Sequence, residues 1–176
     1  MENILPIEFL NRIKEEFGEP QAGRLSELLN GTSPTTVRVN PAKIQDPGAQ
    51  LDLPIDTEVR MEGRSRYGVV LAQRPTFTLD PLFHAGAYYV QEGSSMAIEN
   101  RLPLYQEVLR ESADGKFRIL DLCAAPGGKS THLVSMFRDC PGAMVVSNEV
   151  IRSRATILAE NMAKWGGANV VVTNND

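Results

Sequence analysis

At 176 residues the chain exceeds one average domain, which favours a domain with a small partner. Hydrophobic residues at 42% and charged residues at 23% suit a globular protein, and no apolar run reaches the roughly twenty residues that cross a bilayer. A net charge of −4 argues against nucleic acid as partner on composition alone, although a local basic stripe can hold phosphate on an acidic protein.

The acidic start, Met1-Glu2-Asn3-Ile4-Leu5-Pro6, lacks a signal-peptide layout, and two cysteines cannot form a disulfide framework. The expected setting is reducing and cytoplasmic, with no membrane and no metal. Residues 4–17 place Ile4, Leu5, Phe9, Leu10, Ile13 and Phe17 near helical spacing, and Gly18 and Pro20 end that helix. Residues 21–29 read as a second helix closed by Asn30-Gly31. Packing explains the pair better than an RNA clamp does. Residues 35–40 alternate Val37 and Val39 with Arg38 and Asn40, the pattern of a half-buried strand ended by Pro41.

Asp46-Pro47-Gly48 reads as a turn. Pro54 limits any strand in residues 51–60 to a sheet edge. Residues 67–71 and 76–79 are two further strand candidates. Helices followed by short strands make a small α+β unit, bounded at Asp80-Pro81. Arg60, Arg64, Arg66 and Arg74 cluster here with Tyr67 and Phe77, either as a basic stripe or as a solvated, salt-bridged surface. Beyond the boundary, Gly93-Ser94-Ser95 predicts an N-cap for a helix from about Met96. Pro103 predicts the first turn of another, running to Glu111.

Residues 118–149 organise the rest. Arg118-Ile119-Leu120-Asp121-Leu122-Cys123 is the apolar run of a buried parallel strand, broken by the tight loop Ala124-Ala125-Pro126-Gly127-Gly128. A helix follows over residues 129–138, and Ala143-Met144-Val145-Val146-Ser147 is the next strand, ending at Glu149. Ile151, Ala155, Leu158, Ala159 and Met162 form a helical stripe closed by Gly166-Gly167, and residues 169–173 are a third strand. Three strands joined by two helices are the first half of a doubly wound sheet in order 3-2-1, with ligand at the strand C-termini. A loop at a helix N-terminus, with an acid about twenty residues on, suits an adenosine-containing ligand held partly through its ribose. Gly128-Lys129-Ser130 resembles the end of a phosphate-binding loop. The glycine such a loop needs five residues earlier is Cys123, and no G-x-G-x-x-G occurs. The plainest alternative is a turn and nothing more.

Asp121-Leu122-Cys123-Ala124-Ala125-Pro126-Gly127-Gly128-Lys129-Ser130 resembles the cofactor loop of the Nop/Sun family of RNA cytosine-5 methyltransferases. The run His84-Ala85-Gly86-Ala87-Tyr88-Tyr89-Val90-Gln91-Glu92-Gly93-Ser94-Ser95-Met96 is similar to the segment that family places just before its cofactor domain. Val37-Arg38-Val39-Asn40-Pro41 resembles the bacterial ribosomal-RNA branch. The resemblance implies S-adenosyl-L-methionine as cofactor and RNA, ribosomal RNA in that branch, as partner. It implies an α/β fold: an RNA-recognition-like α+β domain over residues 1–80, then half of a Rossmann-like methyltransferase sheet over residues 81–176.

Carried over position by position, Cys123, Ala124, Ala125, Pro126, Gly127, Gly128 and Lys129 would hold the methionine part of the donor. Glu149 would hold the ribose hydroxyls, standing where the family has aspartate. Asp176 matches the acid near the adenine edge, and Arg154 matches a basic position in the second helix. The chemistry needs a thiolate to attack carbon 6 of a base taken out of its stack. The family's two cysteines for this lie beyond the third strand, so no catalytic residue is expected before Asp176. Cys123 is expected to be buried in the loop, and Cys140 lies at the far end from the strand C-termini. The chain alone is therefore expected to be inactive and to read as a truncated protein, or one whose sheet something else completes. The alternative is a non-catalytic RNA-binding module that keeps the donor fold.

Overall fold

A computed structural model of the chain describes residues 5–59, 65–112 and 114–176. The chain folds into two compact units, Met1–Pro34 and Thr35–Asp176. The expected boundary at Asp80-Pro81 falls inside the second.

The first unit is a helix pair, α1 (Ile7–Phe17) and α2 (Glu19–Asn30). Gly18 separates them at φ 82°, a left-handed value that glycine adopts without a Cβ penalty, and its N–H donates to Lys14 O. Ile4, counted in the sequence stripe, lies outside the described residues. Of the remainder only Leu10 is buried, while Phe9 and Phe17 are 38% and 57% exposed. The stripe is thus helical as expected, but two helices alone leave most of it uncovered.

The second unit begins with β1 (Thr35–Val39), the centre of an antiparallel sheet of order β2-β1-β3. Its partners are β2 (Gly68–Leu71) and β3 (Tyr88–Val90). Strand β1 is not half-buried as its alternation predicts, because Thr36, Arg38 and Asn40 on the polar face are buried too. Thr36 and Asn40 are satisfied by bonds to distant parts of the unit: Thr36 Oγ1 donates to Gln91 O, and Asn40 Nδ2 to Gly86 O and Trp165 O. Buried polar groups are tolerable only with such partners.

The Asp46-Pro47-Gly48 turn is the start of a four-residue helix, α3 (Pro47–Gln50), whose N–H groups Asp46 caps. The expected edge strand in residues 51–60 reduces to one bridge, Ile55 with Leu71, and Arg60 lies outside the described residues. Residues 76–79 do not form a strand. A 3-10 turn at Phe77–Leu79 replaces it, and α4 (Pro81–His84) follows, capped by the Asp80 carboxylate. The third strand is Tyr88–Val90 instead. The helix expected near Met96 is a 3-10 segment, Ser94–Arg101. Its cap is the carboxylate of Glu92, which accepts from Ser94 N and Ser95 N, and not the serines. Helix α5 (Leu102–Glu111) has Pro103 in its first turn, as predicted.

A parallel sheet of order β4-β5-β6 completes the unit: β4 (Phe117–Asp121), β5 (Ala143–Asn148) and β6 (Val170–Thr173). Helices α6 (Gly128–Met136) and α7 (Arg152–Trp165) connect them. Leu133, Phe137, Val145, Leu158, Met162 and Trp165 form the core on one face. Strand β4 is not buried on both sides as its apolar run suggests. It is an edge strand here, and Leu120 is 58% exposed on the same open face as Met144 and Val171. At Gly142 an added Cβ would lie 1.8 Å from Gly115 O, so the start of β5 admits only glycine.

Candidate cofactor site

The loop between β4 and α6 is held on every side. Ser130 Oγ, fully buried, donates to Asp121 Oδ2 at 2.7 Å and ties the strand end to the first helical turn. Gly127 sits at φ 114°, and a Cβ there would come within 3.3 Å of Leu158 Cδ1. The left-handed φ favours glycine, and a side chain would also press on Leu158. Gly127 also precedes α6 without any side-chain cap, which leaves first-turn N–H groups for a ligand. Helix α7 takes up the loop's carbonyls: Asn161 Nδ2 donates to Pro126 O at 2.8 Å and Arg154 Nη2 to Ala125 O at 2.9 Å.

Glu149 directly follows β5. Its backbone N–H bonds to Thr173 O, and Oε1 accepts from Ile151 N at 3.1 Å. Oε2 is buried and accepts no hydrogen bond among the described residues; Arg154 Nη1 stands 3.5 Å away, an ion pair by distance without hydrogen-bond alignment. Asn148 and Asn174 brace this corner. Asn148 Nδ2 donates to Asn175 O at 3.0 Å, and Asn174 Nδ2 donates to Glu149 O at 2.6 Å. Asp176 is exposed just beyond it.

A crevice of about 140 Å³ runs along the loop, lined by Tyr89, Gln91 and Ser95 on one side and by Asp121, residues 123–126, Gly128 and Lys129 on the other. Cys123, Ala124, Ala125, Pro126, Gly128 and Lys129 are thus together. Gly127 is buried behind them. Glu149 and Arg154 stand beside the loop without lining the crevice, joined to it through Ala125. Cys123 is exposed, contrary to the expectation of a buried thiol, because its turn lies at the open end of an edge strand. Cys140 is half-buried against the core, beyond the end of α6.

Sequence reasoning missed Arg38 as part of this neighbourhood. Its guanidinium is fully buried on β1, with Nε donating to Gln91 Oε1 at 2.9 Å and Nη2 to Gly128 O at 3.1 Å and to Thr131 Oγ1. It stacks 4.4 Å from the Trp165 ring centre. Burial lowers its pKa to about 9, against smaller raising effects of Tyr89 and Glu99, so it stays a cation at neutral pH. The only local signal was a charged residue in a strand whose opposite face is apolar.

The basic cluster resolves differently. Arg66 Nε pairs with Glu99 Oε1 at 2.9 Å and stacks on Tyr67, and Arg74 lies over Phe77. Arg60 and Arg64 lie outside the described residues. Glu99 also accepts from Ser65 Oγ and faces the buried His132 Nε2 at 3.1 Å. Burial raises the Glu99 pKa, but the hydrogen bonds from His132 and Ser65 together with the charges of His132 and Arg66 turn the net shift downward. The described residues hold no His, Cys, Asp and Glu cluster suited to a metal, and no helix among them is long and apolar enough to cross a membrane.

Two buried polar atoms near the loop, the acceptor Glu149 Oε2 and the donor Gln91 Nε2, have no hydrogen-bond partner among the described residues. Such a pair fits a ligand that offers hydroxyl groups to one and an acceptor to the other.

Residues 5–93 match the family described as the N-terminal domain of 16S rRNA methyltransferase RsmF. The chain belongs to the RsmF family. Residues 108–176 match a second family description, 16S rRNA methyltransferase RsmB/F. Ribosomal RNA small subunit methyltransferase F of Serratia proteamaculans is 36% identical over 92 residues, which is 52% of this chain and 17% of that protein. The Shewanella piezotolerans protein of the same name is 34% identical over 91 residues, 52% of this chain and 18% of its own length. The chain therefore matches a small part of these RsmF relatives. Among solved structures, a methyltransferase homologue from Pyrococcus horikoshii superposes with a TM-score of 0.68 at 24% identity, covering 97% of this chain and 57% of that one. NSun6 from Pyrococcus horikoshii, solved with SFG, gives 0.69 at 15% identity over 100% of this chain and 67% of its own. At these identities the likeness is one of fold.

Proposed function

We propose that this chain is the donor-binding part of an S-adenosyl-L-methionine-dependent RNA methyltransferase that forms 5-methylcytosine in ribosomal RNA. One observation carries the reading. The small-residue loop at the N-terminus of α6 is joined through Arg154 to a buried carboxylate, Glu149, whose second oxygen has no hydrogen-bond partner among the described residues. A ribose diol supplies the donors such an oxygen lacks. Family membership and the relatives named for small-subunit ribosomal RNA point the same way, as does NSun6 with SFG, an analogue of S-adenosylmethionine.

The donor supplies an electrophilic methyl group on a sulfonium. In this reading residues 123–129 hold its methionine part against the first turn of α6, Glu149 orients the ribose, and Asp176 faces the adenine edge. Arg154 acts on the donor indirectly, by fixing Ala125 and Glu149. Residues 1–80 serve RNA recognition and residues 81–176 donor binding, in a cytoplasmic enzyme. Neither Cys123, on the donor crevice, nor Cys140, half-buried beyond α6, is assigned as the nucleophile. The isolated chain is accordingly inactive.

Calorimetric titration with S-adenosylmethionine and with ATP tests the reading. Binding of the first and not the second is expected. A preference for ATP would return the loop to the phosphate-binding class and overturn it.

A further inference from the structure

Arg38 poses a problem that the donor loop alone does not solve. It is a fully buried cation, and among the described residues no carboxylate lies within ion-pair distance of it. Buried charges are ordinarily paired. Stacking on Trp165 and three neutral acceptors offset part of the cost, yet Nη1 has no hydrogen-bond partner among the described residues. Two of those acceptors, Gln91 Oε1 and Gly128 O, belong to residues that line the crevice.

The bond to Gln91 also settles the orientation of that amide. Arg38 Nε can only donate, so the oxygen of Gln91 must face it and the NH2 group must face away. That NH2 group is buried and has no hydrogen-bond partner among the described residues. Gln91 lines the crevice with this donor unpartnered among the described residues, is backed by a cation that only the more distant Glu99 offsets, and lies next to the uncapped start of α6, which is an arrangement for an anionic acceptor.

We propose that Gln91 binds the amino-acid carboxylate of the donor through its NH2 group, and that Arg38 is the positioning residue that fixes the amide and supplies the counter-charge. The inference rests on the donor reading above and goes beyond it, since it assigns one end of the ligand to the residue that directly follows β3 of the antiparallel sheet. It also gives Arg38 a role other than stapling the two sheets together.

Two thioethers separate the subsite from the rest. S-adenosylhomocysteine carries the amino-acid end, and 5′-methylthioadenosine lacks it but keeps the adenosine and the sulfur. Both are titrated calorimetrically into the 176-residue chain and into Gln91→Glu and Arg38→Met, with melting temperatures recorded in parallel. Gln91→Glu keeps an acceptor for Arg38 Nε but sets a carboxylate against a carboxylate. It is expected to weaken S-adenosylhomocysteine about tenfold or more, leave methylthioadenosine within about threefold and not lower the melting temperature. Arg38→Met is expected to narrow the ratio of the two affinities in the same direction. Should that variant fail to fold, Gln91→Glu decides alone. Equal weakening of both ligands, an unchanged ratio, or a wild type without preference for S-adenosylhomocysteine overturns the subsite while leaving the donor reading intact. A wild type that binds neither ligand overturns the donor reading itself.

Discussion

Arg154 grips the carbonyl oxygen of Ala125 at 2.9 Å, and the same guanidinium stands 3.5 Å from Glu149 Oε2. One side chain of α7 thus couples the loop after β4 to the acid after β5. The two would otherwise be placed independently by neighbouring strand ends. This coupling makes the geometry of Glu149 a property of the loop as well.

Replacing Glu149 by alanine is expected to weaken donor binding about ten- to hundred-fold, the loss of charge-assisted bonds to hydroxyl groups. Arg154→Ala should cost less, about three- to tenfold, because it loosens two partners without removing a ligand contact. Calorimetry on both variants checks the order. Glu149→Ala with wild-type affinity would remove the ribose role.

Asn40 is nearly fully buried, and its amide donates at 2.9 Å to Gly86 O and at 2.8 Å to Trp165 O, while its oxygen accepts from Ala42 N. Asn40→Ala leaves buried carbonyls without a donor, and the expected loss is about 2–4 kcal/mol of unfolding free energy. Urea denaturation would detect it. A loss below about 0.5 kcal/mol would mean that water reaches these carbonyls.

Asn40 also marks what the sequence could and could not reveal. Strands β4, β5 and β6 and their helices are legible because each rests on a local pattern of apolar run, small-residue loop and helical stripe. The loop residues and Glu149 stand out as candidates for the same reason. Thr36, Arg38 and Asn40 looked like the wet face of a strand because their partners lie far along the chain, Trp165 being 125 residues from Asn40. Composition predicts a strand at residues 76–79, where a 3-10 turn forms, and does not mark the strand at Tyr88–Val90. Three-residue elements are chosen by tertiary pairing rather than by propensity. Cys123 is exposed although its sequence context predicts burial, because an apolar run does not say whether its strand lies at the edge of the sheet.

Stability should fall as the solution is acidified below neutrality, partly through His132. The ring is fully buried, with Nε2 against Glu99, Arg38 and Arg66 nearby, and Nδ1 without a hydrogen-bond partner among the described residues. Burial lowers its pKa below the usual 6.5, ahead of the opposing hydrogen bond to Glu99. The unfolded chain therefore takes up the proton first. His132 contributes fully above pH 6.5, and that contribution is lost as the pH falls toward its folded value. Glu99, also lowered in the fold, adds a loss of the same sign below about pH 4.5. Melting temperatures from pH 7.5 to about 5 should decline in the wild type and decline less in His132→Gln. Parallel slopes for the two proteins would exclude the histidine as a source.

Cys123 offers a readout of the crevice that needs no catalysis. Its thiol is exposed and lines the crevice, whereas Cys140 is half-buried beyond α6 and serves as an internal control. Under the proposed function the donor covers Cys123, so saturating S-adenosylhomocysteine should slow its alkylation by iodoacetamide about fivefold or more, in proportion to occupancy. The rate at Cys140 should not move. Mass spectrometry of the two cysteine peptides over time gives both rates from one sample. Equal protection of both would indicate a general tightening of the fold, and no protection of Cys123 under calorimetrically verified binding would place the ligand elsewhere.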